Sequence, residues 1–160
     1  ERCCDKMIDG IVSIIVTVIS GVLVFIIGQI LTNIWLTPLR QYKELKKNIV
    51  FKLTYYANQY SNTLDLAKCS GIDERVEKYK DGSDELRMLS CSLKGFAETL
   101  YWFRIGIPSP KVLNEVADLI MGLSNSFFTP YNTDKCQEQS NRNCERVKKI
   151  FKLLKCQCKE

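Results

Sequence analysis

The chain has 160 residues, a formal net charge of +5, eight cysteines and no histidine. The missing histidine removes the usual general base and the commonest metal ligand, and neither a Gly-rich phosphate loop nor a nucleophile elbow appears. No enzyme activity and no cofactor are therefore expected. Arg142, Arg146, Lys148, Lys149, Lys152, Lys155 and Lys159, set against Glu145 and Glu160, account for the whole charge excess, so no nucleic-acid groove is expected over the remainder.

Residues 1–9 read as a short leader. Met7 stands immediately before an apolar run, so residues 1–6 are expected to be an extension ahead of the native start. The alternative places Cys3 and Cys4 on an oxidising side, where they cross-link neighbouring copies.

Residues 10–37 read as a transmembrane helix. No side chain from Gly10 to Leu39 is charged, and Ile11 to Leu36 exceeds the roughly 20 residues needed to cross a hydrocarbon core about 30 Å thick. A cleaved signal peptide has a shorter apolar region and a small-residue cleavage pattern, whereas Trp35, Thr37, Pro38 and Arg40 follow here. Arg2 and Lys6 precede the span and Arg40, Lys43, Lys46, Lys47 and Lys52 follow it, which places the amino end outside and the rest in the cytoplasm. In that compartment Cys69, Cys91, Cys136, Cys144, Cys156 and Cys158 stay reduced. The reversed topology would instead make a disulfide-bonded extracellular helical domain. The absence of any Asn-x-Ser/Thr acceptor lends weak support to the first arrangement.

Within the span, Gly10, Ser13, Thr17, Ser20, Gly21, Gly28 and Thr32 fall inside an arc of about 120° at 100° per residue. Ile15, Ile19, Val22 and Ile26 lie opposite. Small side chains let helix backbones approach closely in lipid, so this stripe is expected to be a transmembrane packing surface in a homo-oligomer. Indifferent composition and a water-lined pore stripe are the alternatives. Gln29 and Asn33 flank the stripe near its inner end, and Trp35 suits the interfacial aromatic belt.

Residues 38–160 read as one helical domain. Thr37-Pro38 is expected to form a joint, with Thr37 as N-cap of a new helix. Leu39, Tyr42, Leu45, Ile49, Leu53, Tyr56 and Tyr60 recur at steps of three and four, which predicts an inward stripe opposite Lys43, Lys46, Lys47 and Lys52. Residues 61–72 read as a loop and Asp73 to Lys80 as a short polar helix or turn. Ser83 is expected to open the next helix, with Leu86, Leu89, Leu93, Phe96, Leu100 and Phe103 on one face and Tyr101 and Trp102 broadening its end. Ile105 to Pro108 breaks that helix. Ser109-Pro110 starts another, with Val112, Val116, Leu119, Ile120 and Leu123 inward and Gly122 and Pro130 bracketing its end. A final helix is predicted from Thr133 or Asp134 through Cys158. The expected fold is all-α: one N-terminal transmembrane helix followed by an antiparallel bundle of about four helices.

Cys136, Cys144, Cys156 and Cys158 are poorly spaced for a zinc site, and single cysteines such as Cys91 are expected to be small buried residues, so no metal is expected. On the last helix, Lys148, Lys149, Lys152, Lys155 and Lys159 group opposite the apolar face of Val147, Ile150, Phe151 and Leu154. They are candidate contacts to anionic membrane lipid, with a solvated outer face as the plainer reading.

The run YKELKKNIVFKLTYYANQYSN (Tyr42 to Asn62), together with LIMGLSNSFF (Leu119 to Phe128), resembles small bacterial single-pass membrane proteins of unassigned function. The resemblance implies a bacterial inner-membrane location. The architecture is also similar to membrane-acting effectors of phage-defence and toxin systems, although the high cysteine content departs from that pattern. The expected function is a span that self-associates under control of the cytoplasmic domain and its regulator, with a membrane-damaging defence or toxin effector as the most concrete form. A membrane-anchored adaptor for a cytoplasmic partner is the alternative.

Overall fold

The computed structural model describes residues 2–65, 74–100, 105–129 and 133–155. The described residues form an all-α fold led by one long apolar helix. Helix α1 (Arg2–Leu31) passes into a π-helical turn (Thr32–Leu36) and then directly into α2 (Thr37–Tyr55). From Gly10 to Tyr55 this makes one helix of 46 residues. The expected joint at Thr37-Pro38 is absent, and Thr37 makes no N-cap.

Proline is tolerated here because the helix widens by one residue just ahead of it. Inside a regular α-helix, Pro38 would lack an N–H donor and push its ring against the carbonyl four residues back. In the π-turn the Thr37 N–H donates to Thr32 O, five residues back, and Thr37 Oγ1 donates to the same oxygen at 3.1 Å. Such a turn absorbs the proline without a break.

Short α3 (Ala57–Ser61) follows α2, and strand β1 (Leu64–Asp65) then makes a two-residue parallel bridge with β2 (Phe128–Thr129). The stretch predicted as a loop is thus tied down at its start, with the Leu64 N–H bonding Phe127 O at 2.9 Å. Helix α4 (Glu74–Glu98) runs unbroken through Gly82 and Ser83, so Ser83 does not open a helix. The reason is tertiary. Ser83 is buried and donates to Ser124 O at 2.9 Å, while Gly82 lies where any Cβ would meet the Tyr56 and Phe127 rings at 3.0 Å.

Helix α5 (Pro110–Ser124) starts as predicted, with Ser109 Oγ accepting from the Val112 N–H at 3.4 Å. Its buried face is turned relative to expectation, because Leu113 and Ala117 are fully buried while Val112 and Leu119 are half-buried. Helix α6 (Thr133–Leu153) ends before Cys158, and Lys155 takes a left-handed φ of 49°. Tyr101, Trp102, Phe103, Pro130, Cys69, Cys156, Cys158 and Lys159 lie outside the described residues.

The core joins Tyr42, Ile49, Leu53 and Tyr56 of the α2 region to Leu86, Leu93 and Phe96 of α4, Leu113, Val116 and Ile120 of α5, and Val147, Ile150 and Leu154 at α6. The predicted α2 stripe is this inward face. Interhelical contacts run in opposite directions along neighbouring pairs. Ser90 bonds Ala117 O and Ser83 bonds Ser124 O between α4 and α5. Between α5 and α6, Lys149 pairs with Glu115 and Arg146 bonds Gly122 O.

One polar hub sits inside this apolar packing. Asn143 is fully buried and its Nδ2 donates to Tyr60 O at 3.1 Å. Its Oδ1 accepts from Ser126 Oγ at 2.6 Å, Gln139 Nε2 at 3.2 Å and Arg146 at 3.2 Å. Tyr60 O needs this donor because the Leu64 N–H, four residues on, is bonded to Phe127. Asn143 thereby closes the end of α3 and fixes it to α6.

Candidate functional site at the span-proximal end

The apolar helix, the candidate membrane span, determines which end of the domain lies nearest to it. Every residue in its most apolar stretch is free of intramolecular burial, and Ile14, Val24 and Phe25 are each about two-thirds exposed. It is long and apolar enough to cross a membrane.

The stripe residues all sit on the exposed surface of α1 and the π-turn. Thr17 Oγ1 donates to Ser13 O, Ser20 Oγ to Thr17 O, and Thr32 Oγ1 to Gly28 O, each at 2.9 Å. These hydroxyls are satisfied by the helix itself, so they require neither pore water nor a partner. Gly10, Gly21 and Gly28 have nothing within 4 Å of an added Cβ. At Gly10, Gly21 and Gly28 the stripe therefore offers closeness of backbone, and at Thr17, Ser20 and Thr32 hydroxyls already bonded within the helix.

Four contacts bring distant segments to the base of the span. Trp35 Nε1 donates to Ile105 O at 3.2 Å, joining the π-turn to the turn after α4. In that turn Gly106 adopts φ 83°, a conformation suited to glycine, and lies against Leu39. Tyr42 stacks on Phe96 with centroids 6.5 Å apart, and Lys46 Nζ donates to Lys155 O at 3.5 Å. The start of α2, the end of α4, the Ile105–Ser109 turn, the start of α5 and the end of α6 consequently share one end.

That end is cationic. Arg40, Lys43, Lys46 and Lys47 occupy the first turns of α2, Lys111 the first turn of α5, and Lys152 and Lys155 the end of α6, against Glu44 and Glu98. The predicted lipid-contact lysines are spread along α6 and beyond it. Lys149 pairs with Glu115 at 2.8 Å and, with Lys148, lines a cleft bounded by Leu119, Arg142, Glu145 and Arg146. Lys155 lies at the span-proximal end and Lys152 one turn from it, whereas Lys159 is outside the described residues.

A second cleft, of about 500 Å3, opens among Tyr42, Lys46, the Gly106–Ser109 turn, Val112, Leu153, Leu154 and Lys155. No carboxylate lines it. Ser109 and Val112 bring the start of α5 to this space, and the two lysines come from α2 and from the residue two beyond α6. Lys46 was readable only as one member of an outward basic row, because its pairing with Lys155 spans 109 residues.

The most tightly bonded charged cluster lies farther from the span. Glu85 of α4 accepts from Lys52 Nζ at 2.5 Å and from the Tyr56 hydroxyl. The Lys52 and Tyr56 hydrogen bonds hold the Glu85 carboxyl below its ordinary range. Burial first, and then the Glu85 carboxylate, push the Tyr56 phenol well above its own. Both groups keep their ordinary charge at neutral pH, so the cluster clamps α2 to α4 and has no poised acid or base.

Among the described cysteines, Cys91 is exposed, contrary to the expectation of a buried residue, while Cys136 and Cys144 are partly buried. Cys91 lies on the outer face of α4, two residues before buried Leu93 and one after buried Ser90. No group of three His, Cys, Asp or Glu side chains able to hold a metal occurs among the described residues. No protein-family model, curated protein or solved structure matches the chain.

Proposed function

We propose that the chain is a single-pass membrane protein without enzyme activity, whose span self-associates through the Gly10 to Thr32 face under control of an antiparallel helical bundle. The observation carrying this reading is the helix uninterrupted from Gly10 to Tyr55. Its second half supplies buried Tyr42, Ile49 and Leu53 to the domain core, so rotation or tilt of the span moves a wall of the core with it. A passive anchor on a flexible linker would lack that coupling. The charge bias across the span supports a cytoplasmic domain, and on this reading the protein sits in the inner membrane of a bacterial cell, where a protein regulator would act on it. The most concrete form is a membrane-damaging effector in defence or toxicity.

Gly21→Leu with Gly28→Leu tests the stripe cleanly, because neither added side chain meets anything inside the monomer. Cross-linking in membranes is expected to show loss of oligomer, and expression in bacteria loss of growth arrest and depolarisation. Undiminished self-association would remove the stripe from the mechanism. Thiol labelling of Cys91 from each side of the membrane tests the orientation, with access from the cytoplasmic side expected.

An adaptor reading is favoured by one observation. Phe51 and Tyr55 are well exposed and stacked with centroids 6.0 Å apart on the outer face of α2, as a partner-binding patch would be. Exchanging the span for an unrelated one separates the two readings, since an adaptor keeps its activity and a span-driven effector loses it.

A further inference from the structure

We infer that the cleft between Lys46 and Lys155 is a binding site for the phosphate-bearing headgroup of an anionic phospholipid. This inference rests on the membrane-spanning reading above and adds a ligand to it.

Position comes first. Trp35 lies near the end of the uncharged run, and Ile105, whose carbonyl accepts from its indole, is 57% exposed at the same level. The Gly106–Ser109 wall of the cleft therefore begins where the interfacial aromatic sits. Tyr42 and Lys46 follow Leu39 by one and two helical turns, about 5 and 10 Å along the axis. The headgroup layer adds about 5–7 Å beyond the hydrocarbon, so a lysine side chain at this height reaches it.

Chemistry comes second. The cleft is lined by two lysines, Lys46 and Lys155, and by Ser109 and Val112 at the start of α5, and no carboxylate lines it. Lys46 spends one N–H on Lys155 O at 3.5 Å and retains its other donors. Ile107, Pro108, Val112, Leu153 and Leu154 supply apolar walls that suit the glycerol and upper acyl carbons of a lipid better than a free ion. A site that draws an anionic headgroup between α2 and the end of α6 also ties both helices to the membrane surface, setting the domain's orientation on the span.

The test uses the full chain in phosphatidylcholine nanodiscs, with and without phosphatidylglycerol, followed by hydrogen exchange. Phosphatidylglycerol is expected to slow exchange at Gly106, Ile107 and residues 111–113 by about tenfold. Lys46→Gln with Lys155→Gln should abolish that slowing, whereas Lys78→Gln with Lys80→Gln removes the same charge from the half of α4 remote from the cleft and should leave it. Equal loss in both double variants, or equal slowing in phosphatidylcholine alone, would overturn the site. Slowing by inorganic phosphate in phosphatidylcholine discs would overturn the lipid as its ligand. Failure of the chain to remain in the discs would instead refute the membrane-spanning reading.

Discussion

Replacing Asn143 with leucine keeps nearly the same volume at a fully buried position and removes every hydrogen bond the side chain makes. Its partners fare differently. Arg146 keeps Gly122 O at 3.0 Å, Ser126 keeps Leu123 O at 2.7 Å, and half-buried Gln139 turns to water. The Tyr60 carbonyl has no such fallback, since the Leu64 N–H is held by Phe127. Stranding one buried carbonyl costs about 1–3 kcal/mol, and loss of the charged Arg146 bond to the Asn143 oxygen adds about 1 kcal/mol, while the single Ser126 proton moves wholly onto Leu123 O. The expected destabilisation of about 2–4 kcal/mol is a large part of the roughly 5–15 kcal/mol typical of a domain. Urea titration of the full chain in nonionic micelles, followed by tyrosine near-ultraviolet circular dichroism, reads the domain while the span stays helical in detergent. At a slope of about 1–2 kcal/mol per molar, the midpoint should fall by roughly 1–4 M. A fall below about 0.3 M would refute the claim that Asn143 holds α3 to α6.

Two glycines should respond oppositely. Gly122→Ala adds a methyl 3.6 Å from the Arg146 guanidinium and should stabilise the domain by about 0.5–1 kcal/mol in the same titration, through helix propensity. Gly82→Leu must displace the Tyr56 and Phe127 rings and should destabilise it by more than about 2 kcal/mol; an unchanged midpoint would show that α4 does not approach α3 and Phe127 so closely. Trp35→Phe retains the aromatic and deletes the bond to Ile105 O, so exchange at residues 105–109 should quicken about fivefold, from a loss near 1 kcal/mol. For Glu85, whose carboxyl is lowered in the folded state, the stabilising contribution is complete above the unfolded value of 4.5 and is lost as pH falls through the folded value. Glu85→Gln should therefore lower stability at pH 7 and flatten the acid limb of the stability profile below pH 4.5; an unaltered acid limb would exclude the clamp from acid unfolding.

Some positions were readable because their determinants are local. Leu39 to Tyr60 face inward at a helical period, and Ser109-Pro110 starts a helix because the cap and the proline act within one turn. Asn143 is an intermediate case. It shares its helical phase with Val147, Ile150 and Leu154, so a buried asparagine was visible in the spacing, but its partners on Tyr60 and Ser126 were not. Gly82-Ser83 and Thr37-Pro38 misled for opposite reasons. Ser83 is a good cap in isolation, yet a bond to Ser124 and the close approach at Gly82 make continuing the helix better. Pro38 disfavours a helix in isolation, yet one five-residue-back bond at Thr37 lets the helix pass.

The sequence by itself determined the all-α class, the uncharged stretch long enough to cross a membrane, and the small-residue face along it. Those follow from hydropathy and periodicity, which act over a few turns and need no knowledge of what packs on what. Tertiary structure decided that the span and α2 are one helix, that the Ile105 turn is fastened to Trp35, and that Lys46 and Lys155 border one cleft. Such features depend on groups 70 and 109 residues apart meeting at the same height above the span, a matter of how the helices stack and not of local preference.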